Sequence, residues 1–268
     1  GGFDHNANTL RVLMRLESPY CGHDGLNLSW ELLEGLAKHN GPVEAPTWAL
    51  AELDAAFPLA LRQWPSLEAQ VASLADDIAY DNHDIDDGLR AGFLQLDDLL
   101  ALDFVREQWR EVERRFPGAP QDRQLRELVR GQIGLMVNDL IEETRGRLEH
   151  GEIASLAQVR EAGQPLVAFS SALTGEERQL KQFLYAKLYY HPDQLATAER
   201  AREVVAGLYA ALAADPGGLP PSWRESLPAA EPARSRHLVD FIAGMTDRYA
   251  IDTYARLFGT VPEGLRNV

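Results

Sequence analysis

The sequence has little of several features that mark particular classes of protein. A single cysteine, Cys21, excludes an intrachain disulfide and fits a reducing compartment such as the cytoplasm. No apolar run approaches the ~18 residues of a membrane-spanning helix, and no signal-peptide pattern opens the chain. Basic residues are also scarce. With 26 Lys and Arg against 41 Asp and Glu, the net charge is −15, which argues against general nucleic-acid binding.

Helical periodicity, by contrast, runs along almost all of the 268 residues. Only the segment 164–169 (QPLVAF) has the length and composition of a short strand. The polar turn before Gly41 and Pro42, with Lys38, His39 and Asn40, indicates a helix end. We therefore predict an all-α fold with a single helical domain over residues 1–268. The predicted helices cover residues 67–94, 96–116, 122–150, 176–190, 194–214 and 234–258.

The segment 74–88 (LADDIAYDNHDIDDG) is the most informative one. It places Asp76, Tyr80 and Asp84 at i, i+4 and i+8, so on a helix they share one face, each step of four advancing only about 40°. Six Asp residues crowd positions 76–87 with no Lys or Arg among them, which predicts that no i,i+4 ion pair stabilises this helix. A bound cation would relieve the repulsion, and a solvated acidic face is the alternative. Apart from Asp76 and Asp84, the Asp residues of this segment are predicted to be solvated or capping groups: Asp77, Asp81, Asp86 and Asp87.

Five passages of the chain resemble one family, in the order which that family has them. In chain order they are GGFDHNANTLRVLMRLE (1–17), GLNLSWELLEGLAKHNGP (25–42), LEAQVASLADDIAYDNHDIDDGLRAG (67–92), the looser match LKQFLYAKLYYHP (180–192) and FIAGMTDRYAIDTYARLF (241–258). The family is that of the HD-domain deoxynucleoside triphosphate triphosphohydrolases, the dGTPase-like proteins. The resemblance implies an HD-type helical bundle and metal-dependent hydrolysis of a deoxynucleoside triphosphate to deoxynucleoside and inorganic triphosphate.

The same resemblance implies roles for individual residues. Asp76 matches a ligand of a divalent metal ion, whether Mg, Mn or a transition metal. His5 matches a histidine beside the transferred phosphate, where an imidazole steadies charge or shuttles a proton. Tyr80 and Asp84 match positions that touch the nucleotide near its phosphate or sugar. In the family, a basic residue contacts phosphate and a tyrosine contacts the sugar or base. The matching positions here lie on a helix face with Lys181, Tyr185 and Tyr189 at i, i+4 and i+8.

One part of the family pattern does not occur here. The first metal-ligating His and the His-Asp pair, in a context like HDxGHxPFGH, have no counterpart, since His23 lies in a turn-like CGHDG and His83 belongs to the Asp-rich helix. We therefore expect the chain to be the C-terminal two-thirds of a longer protein, inactive by itself and lacking the upstream helices. The resemblance also implies a homo-oligomer. Two alternatives stay open: a catalytically inactive regulatory or scaffold module, and another HD-type nucleotide phosphohydrolase.

Overall fold

The computed structural model describes residues 2–265, and within that range the chain forms thirteen α-helices and no strand, which confirms the all-α prediction. None of these helices is long and apolar enough to cross a membrane. The helices are α1 (His5–Arg11), α2 (Trp30–Ala37), α3 (Trp48–Ala56), α4 (Leu67–Arg90), α5 (Leu96–Leu99), α6 (Asp103–Arg115), α7 (Gln121–His150), α8 (Leu156–Glu161), α9 (Ser171–Leu184), α10 (Pro192–Ala214), α11 (Pro221–Glu225), α12 (Ala233–Ala243) and α13 (Asp247–Phe258).

The chain divides into two compact units, Gly1–Leu184 and Tyr185–Val268. The prediction of one domain over residues 1–268 stays a prediction. In the first unit, α4 packs against α2, α7 and α9, and α7 packs against α6. Helix α7 can pack in this way because its buried residues recur at every fourth position and so form one stripe along the helix. These residues are Leu128, Gln132, Met136 and Leu140.

Helix α4 carries most of the predicted site, and its start and orientation follow from local chemistry. The Ser66 side chain accepts a hydrogen bond from the Ala69 backbone N–H at 3.2 Å and so caps the first turn. Ile78, Asn82 and Ile85 are buried on one side of the helix. Because side chains three or four apart lie on one face, burying this set leaves the Asp76 and Tyr80 side toward solvent.

The N-terminal part of the first unit holds α1 in place. Helix α1 packs against α2 and α3, and its buried residues Ala7 and Leu10 join an apolar cluster with Leu33, Leu50 and Leu53. The Asp4 side chain caps α1 by accepting from the Ala7 N–H at 3.1 Å. This packing fixes the position from which His5 and Asn6 project.

The second unit is built on α10, which packs against α12 and α13. Its core includes Val204, Leu208 and Tyr254. Gly207 allows α10 to approach α13 closely, since a Cβ atom at this position would lie 2.6 Å from the Tyr254 ring. Before α10, residues Tyr185–Tyr189 form one π-helical turn.

Several predicted segments need correction. The helix predicted over 96–116 is interrupted between α5 and α6, and the one over 234–258 is interrupted between α12 and α13. In place of the helix predicted over 176–190, α9 begins at Ser171 and ends at Leu184, and residues Tyr185–Tyr189 are π-helical.

The short strand predicted over 164–169 is also wrong. Leu166, Val167 and Phe169 are buried, which explains the apolar composition, but their segment is irregular. The backbone N–H groups of Leu166 and Val167 donate to Gln70 Oε1, at 2.9 and 3.1 Å, in place of a neighbouring strand. A side-chain amide on α4 therefore satisfies the polar groups that a sheet would otherwise satisfy.

Candidate active site

Asp76, Tyr80 and Asp84 lie on successive turns of α4, as their spacing predicts. The Asp76 side chain is 54% exposed and Tyr80 is 61% exposed, whereas Asp84 is half-buried. Tyr80 is one of several aromatic rings that are exposed among the described residues, with Phe3, Tyr20 and Tyr190. The helix therefore presents one carboxylate and one phenol to solvent on the face that the sequence singles out.

A turn at the end of α2 joins this face to α1. The His39 Nε2 atom lies 3.7 Å from Asp76 Oδ2. Next to it, the Asn40 side-chain oxygen accepts a hydrogen bond from Asn6 Nδ2 at 3.1 Å. Gly41, with a φ of 100°, completes the turn in a backbone region that favours glycine.

His5 precedes Asn6 on α1 and its side chain is exposed. The Asn6–Asn40 hydrogen bond thus brings the start of α1, where His5 lies, to the turn that contacts Asp76. The sequence indicates only a helix end at His39 and Asn40. The Gly-Pro pair that follows this polar run predicts a tight turn at His39 and Asn40, but it does not predict which residues the turn contacts.

Lys181 lies on α9 and is held by two carboxylates. Its Nζ atom is 2.5 Å from Glu177 Oε1, one turn earlier on α9, and 3.0 Å from Asp77 Oδ1 on α4. Burial disfavours the ammonium, but the hydrogen bonds to Glu177 and Asp77 outweigh it and raise the pKa of Lys181. The cation predicted to contact phosphate is therefore engaged by acidic side chains.

The prediction that Asp81 is a solvated or capping group is wrong. Asp81 is 2% exposed, and its Oδ2 atom has no hydrogen-bond partner. Burial, against the opposing effect of Lys181, raises the pKa of the Asp81 carboxyl from 3.8 to about 7. The negative charges of Glu177, Asp77 and Asp84 raise it further.

Two more corrections concern the same helix. Asp77 is paired with Lys181, a residue more than a hundred positions away that the local pattern does not reveal. Asp86 forms an i,i+4 ion pair with Arg90, at 2.9 Å, so the expectation that no such pair stabilises the helix is wrong. Asp87 is exposed, as predicted.

A cavity of about 410 Å³ opens between the 39–41 turn, α4 and α9. Asp77 and Glu177, the two carboxylates that hold Lys181, are among its lining residues, together with His39, Asn40 and the Trp64 side chain. The volume lies within the range of small-molecule sites. Asp77 and Glu177 make this part of the cavity wall acidic, next to the Lys181 ammonium that they hold.

Tyr185 and Tyr189 belong to the second unit. Their rings contact edge to face with centroids 5.0 Å apart, and the ring of Tyr190 lies 6.0 Å from that of Tyr185. All three rings are partly open to solvent. Flat, exposed rings of this kind are suited to stacking on a base or sugar. That Lys181 shares a face with Tyr185 and Tyr189 stays a prediction.

The described residues do not form a complete metal centre by themselves. Among residues 2–265, no three His, Cys, Asp or Glu side chains are arranged to hold a metal ion. Asp76 fits one ligand position, because its carboxylate is exposed and its neighbour His39 is a polar group able to orient it.

Comparison with known proteins identifies the family. A protein of Parvibaculum lavamentivorans named deoxyguanosinetriphosphate triphosphohydrolase-like is 45% identical over 266 residues, which cover 96% of this chain and 67% of the relative. The chain belongs to the deoxyguanosinetriphosphate triphosphohydrolase-like family. Proteins with the same name from Brucella suis and Cereibacter sphaeroides are 43% and 42% identical, over 98% and 97% of this chain and 68% and 69% of their own lengths. In addition, residues 167–256 match the profile of a phosphohydrolase-associated domain.

Membership of the family confirms the resemblance on which the site was predicted. The chain spans about two thirds of the length of these relatives. The roles of Asp76, His5, Tyr80, Asp84 and the face with Lys181 stay predictions for this member of the family.

Proposed function

We propose that the protein hydrolyses a deoxynucleoside triphosphate, of the dGTP kind, to a deoxynucleoside and inorganic triphosphate. The observation that carries the proposal is the similarity, over 96% of the chain, to a protein named deoxyguanosinetriphosphate triphosphohydrolase-like. The exposed face of α4 supports it, since a carboxylate and a phenol lie there uncovered beside the turn that leads to His5.

Asp76 is the proposed ligand of a divalent metal ion, either Mg²⁺, Mn²⁺ or a transition metal. One carboxylate is a single ligand, and residues 2–265 contain no group of three His, Cys, Asp or Glu side chains that could hold the ion. When bound, such an ion supplies an activated water and positive charge at the phosphate. His39, 3.7 Å from the carboxylate, helps to hold Asp76 in one orientation.

The remaining proposed roles concern substrate binding. His5 lies at the transferred phosphate, where its imidazole offsets negative charge or moves a proton. Lys181 contacts a phosphate through its ammonium. Tyr80 and Asp84 contact the sugar, with Tyr185 and Tyr189 as a stacking surface for sugar or base. Close packing on a deoxyribose disfavours a ribonucleotide, because its added hydroxyl has no partner.

The test uses Asp76→Ala in the intact protein, with Asp87→Ala as the matched control. Both changes remove one Asp from α4, and Asp87 is exposed. Asp76→Ala is expected to lower triphosphate release at least about 100-fold and to lower the bound metal measured by mass spectrometry, because a ligand is lost. Asp87→Ala is expected to behave as the wild type.

The product separates this proposal from the alternatives. Release of intact triphosphate supports it, whereas release of monophosphate would indicate another HD-type phosphohydrolase. Intact protein that hydrolyses no nucleotide would indicate a regulatory or scaffold module. Full turnover by Asp76→Ala would overturn the assignment of Asp76.

A further inference from the structure

The contact between α4 and α9 contains an excess of negative charge. Asp77 and Asp81 lie one turn apart on α4, and Glu177 and Lys181 lie one turn apart on α9. Lys181 is within hydrogen-bond distance of Asp77 and Glu177, and its charge also interacts with that of Asp81. Three carboxyl groups therefore face one ammonium.

The four side chains differ in their access to solvent. The Lys181 side chain is 35% exposed and Asp77 is also partly exposed, so water screens their charges. Asp81 is buried, and no protein donor reaches its Oδ2 atom to stabilise a negative charge. Of the three carboxyl groups, Asp81 is thus the one whose ionisation is least screened.

This arrangement has a consequence for an anionic ligand. Asp77 and Glu177 line the cavity of about 410 Å³, so a phosphate that enters it meets two carboxylates next to the ammonium. If Asp81 is ionised, the group carries a net charge of −2. If Asp81 is neutral, the net charge is −1 and the attraction that holds Lys181 in the contact is weaker. The state of Asp81 therefore changes how readily Lys181 can turn to a phosphate.

We propose that Asp81 is a positioning residue for Lys181: its buried carboxyl, when ionised, retains the ammonium between α4 and α9, and when neutral releases it for a substrate phosphate. The inference rests on the proposed function, because it takes Lys181 to be the phosphate contact. The raised pKa of Asp81, about 7, places the change within the physiological range. The charged groups that act on it are Lys181 and Glu177 of α9 and Asp77 and Asp84 of its own helix. The next residue along α4, Asn82, contacts the uncharged Met136 of α7.

The first experiment follows Lys181 directly, without relying on activity. The ¹³Cε signal of Lys181 in the intact protein, identified by its loss in Lys181→Arg, is recorded from pH 5.5 to 8.5. It is expected to shift with a midpoint near pH 7 in the wild type and in Asp87→Asn, which removes a charge from an exposed site of α4. The shift is expected to vanish in Asp81→Asn, which keeps the size of the side chain. An unchanged shift in Asp81→Asn, or none in the wild type, would overturn the proposal.

The second experiment measures triphosphate release over the same pH range. In the wild type, the KM for the deoxynucleoside triphosphate is expected to rise about fivefold between pH 6 and 8, with kcat little changed. Asp81→Asn is expected to keep the low KM at pH 8, and Asp87→Asn to follow the wild type. A KM in Asp81→Asn that rises as in the wild type contradicts the role of Asp81. A Lys181 signal that senses Asp81 in a protein with no triphosphate release would instead contradict the proposed function, so the two failures are distinguishable.

Discussion

Two lysines of the first unit show how differently the same ion pair can be built. Lys38 and Glu34, one turn apart at the end of α2, are both 0% exposed, with Lys38 Nζ 2.5 Å from Glu34 Oε1. Lys181 and Glu177 are also one turn apart and 2.5 Å apart, but on the partly exposed contact of α9 with α4. Burial lowers the pKa of Lys38, against the attraction of Glu34, whereas Glu177 and Asp77 overcome burial and raise that of Lys181.

The difference indicates two uses of a lysine. Lys38 has a structural environment: it donates to the Ala60 carbonyl at 3.3 Å, and Arg160 approaches the same Glu34 oxygen at 3.7 Å. Two cations face one carboxylate there, and Lys38 and Glu34 are fully buried while Arg160 is mostly buried. At Lys181, three carboxyl groups face one cation beside a cavity. A lysine that has to meet a substrate needs this second environment, because a fully buried ammonium cannot leave its partner without a large cost.

The largest predicted effect contrasts Lys38→Met with Lys181→Met. Removing Lys38 leaves Glu34 buried with only Arg160 nearby, so the free energy of unfolding is expected to fall by about 3–5 kcal/mol. Lys181→Met is expected to lower it by only about 1–2 kcal/mol, because the side chains of Lys181 and Asp77 are partly exposed and water screens their charges. Urea unfolding of the intact protein, followed by circular dichroism, measures both. Equal losses would show that the two sites do not differ as their burial indicates.

A middle-sized effect concerns the pH dependence of stability at Asp81. Its pKa is raised in the folded protein to about 7 from 3.8, so the folded state keeps a proton that the unfolded chain loses. The stability contributed by that proton is complete below pH ~4 and is lost as the pH rises through about 7. Asp81→Asn cannot lose a proton. Relative to wild type, it is therefore expected to gain up to a few kcal/mol between pH 5 and 8, at about 1.4 kcal/mol per pKa unit.

Urea midpoints of wild type and Asp81→Asn at several pH values test this expectation, because the other carboxylates titrate alike in both proteins. Asp87→Asn serves as the control, and its stability relative to wild type is expected to stay constant over this range. A difference between Asp81→Asn and wild type that does not grow with pH would mean that Asp81 is already ionised at neutral pH.

The sequence predicts the helices and the exposed face better than the charged contact, for physical reasons. The period of apolar residues is local, so the all-α fold and the shared face of Asp76 and Tyr80 follow from spacing. The pairing of Asp77 with Lys181 joins residues far apart in sequence, and no local pattern contains it. The burial of Asp81 also depends on α9 packing over α4. Six similar Asp residues therefore have different environments that only the packing distinguishes.

The same distinction explains the wrong prediction at the segment 164–169 and the contact of His39 that the sequence does not reveal. The apolar residues of 164–169 predict burial correctly, but a strand was expected because the hydrogen-bond partner, Gln70, lies almost a hundred residues earlier. His39 lies in a turn that the sequence predicts, yet its contact with Asp76 depends on the packing of α2 against α4. Local structure follows from neighbours in sequence, whereas these two contacts do not.

The smallest predicted effect separates the two partners of Lys181 from each other. Glu177 has the more buried side chain and the shorter distance to Nζ, 2.5 Å against 3.0 Å for Asp77. Glu177→Gln is therefore expected to lower the free energy of unfolding by about 1 kcal/mol, and Asp77→Asn by about 0.5 kcal/mol or less. Asp86→Asn, which removes the exposed pair with Arg90, is the matched control and should resemble Asp77→Asn. Urea midpoints at pH 7 rank the three. A larger loss in Asp77→Asn than in Glu177→Gln would mean that Lys181 is fixed by its bond to Asp77 of α4 rather than by its bond to Glu177 within α9. Substrate binding would then have to break a contact that holds α9 to α4.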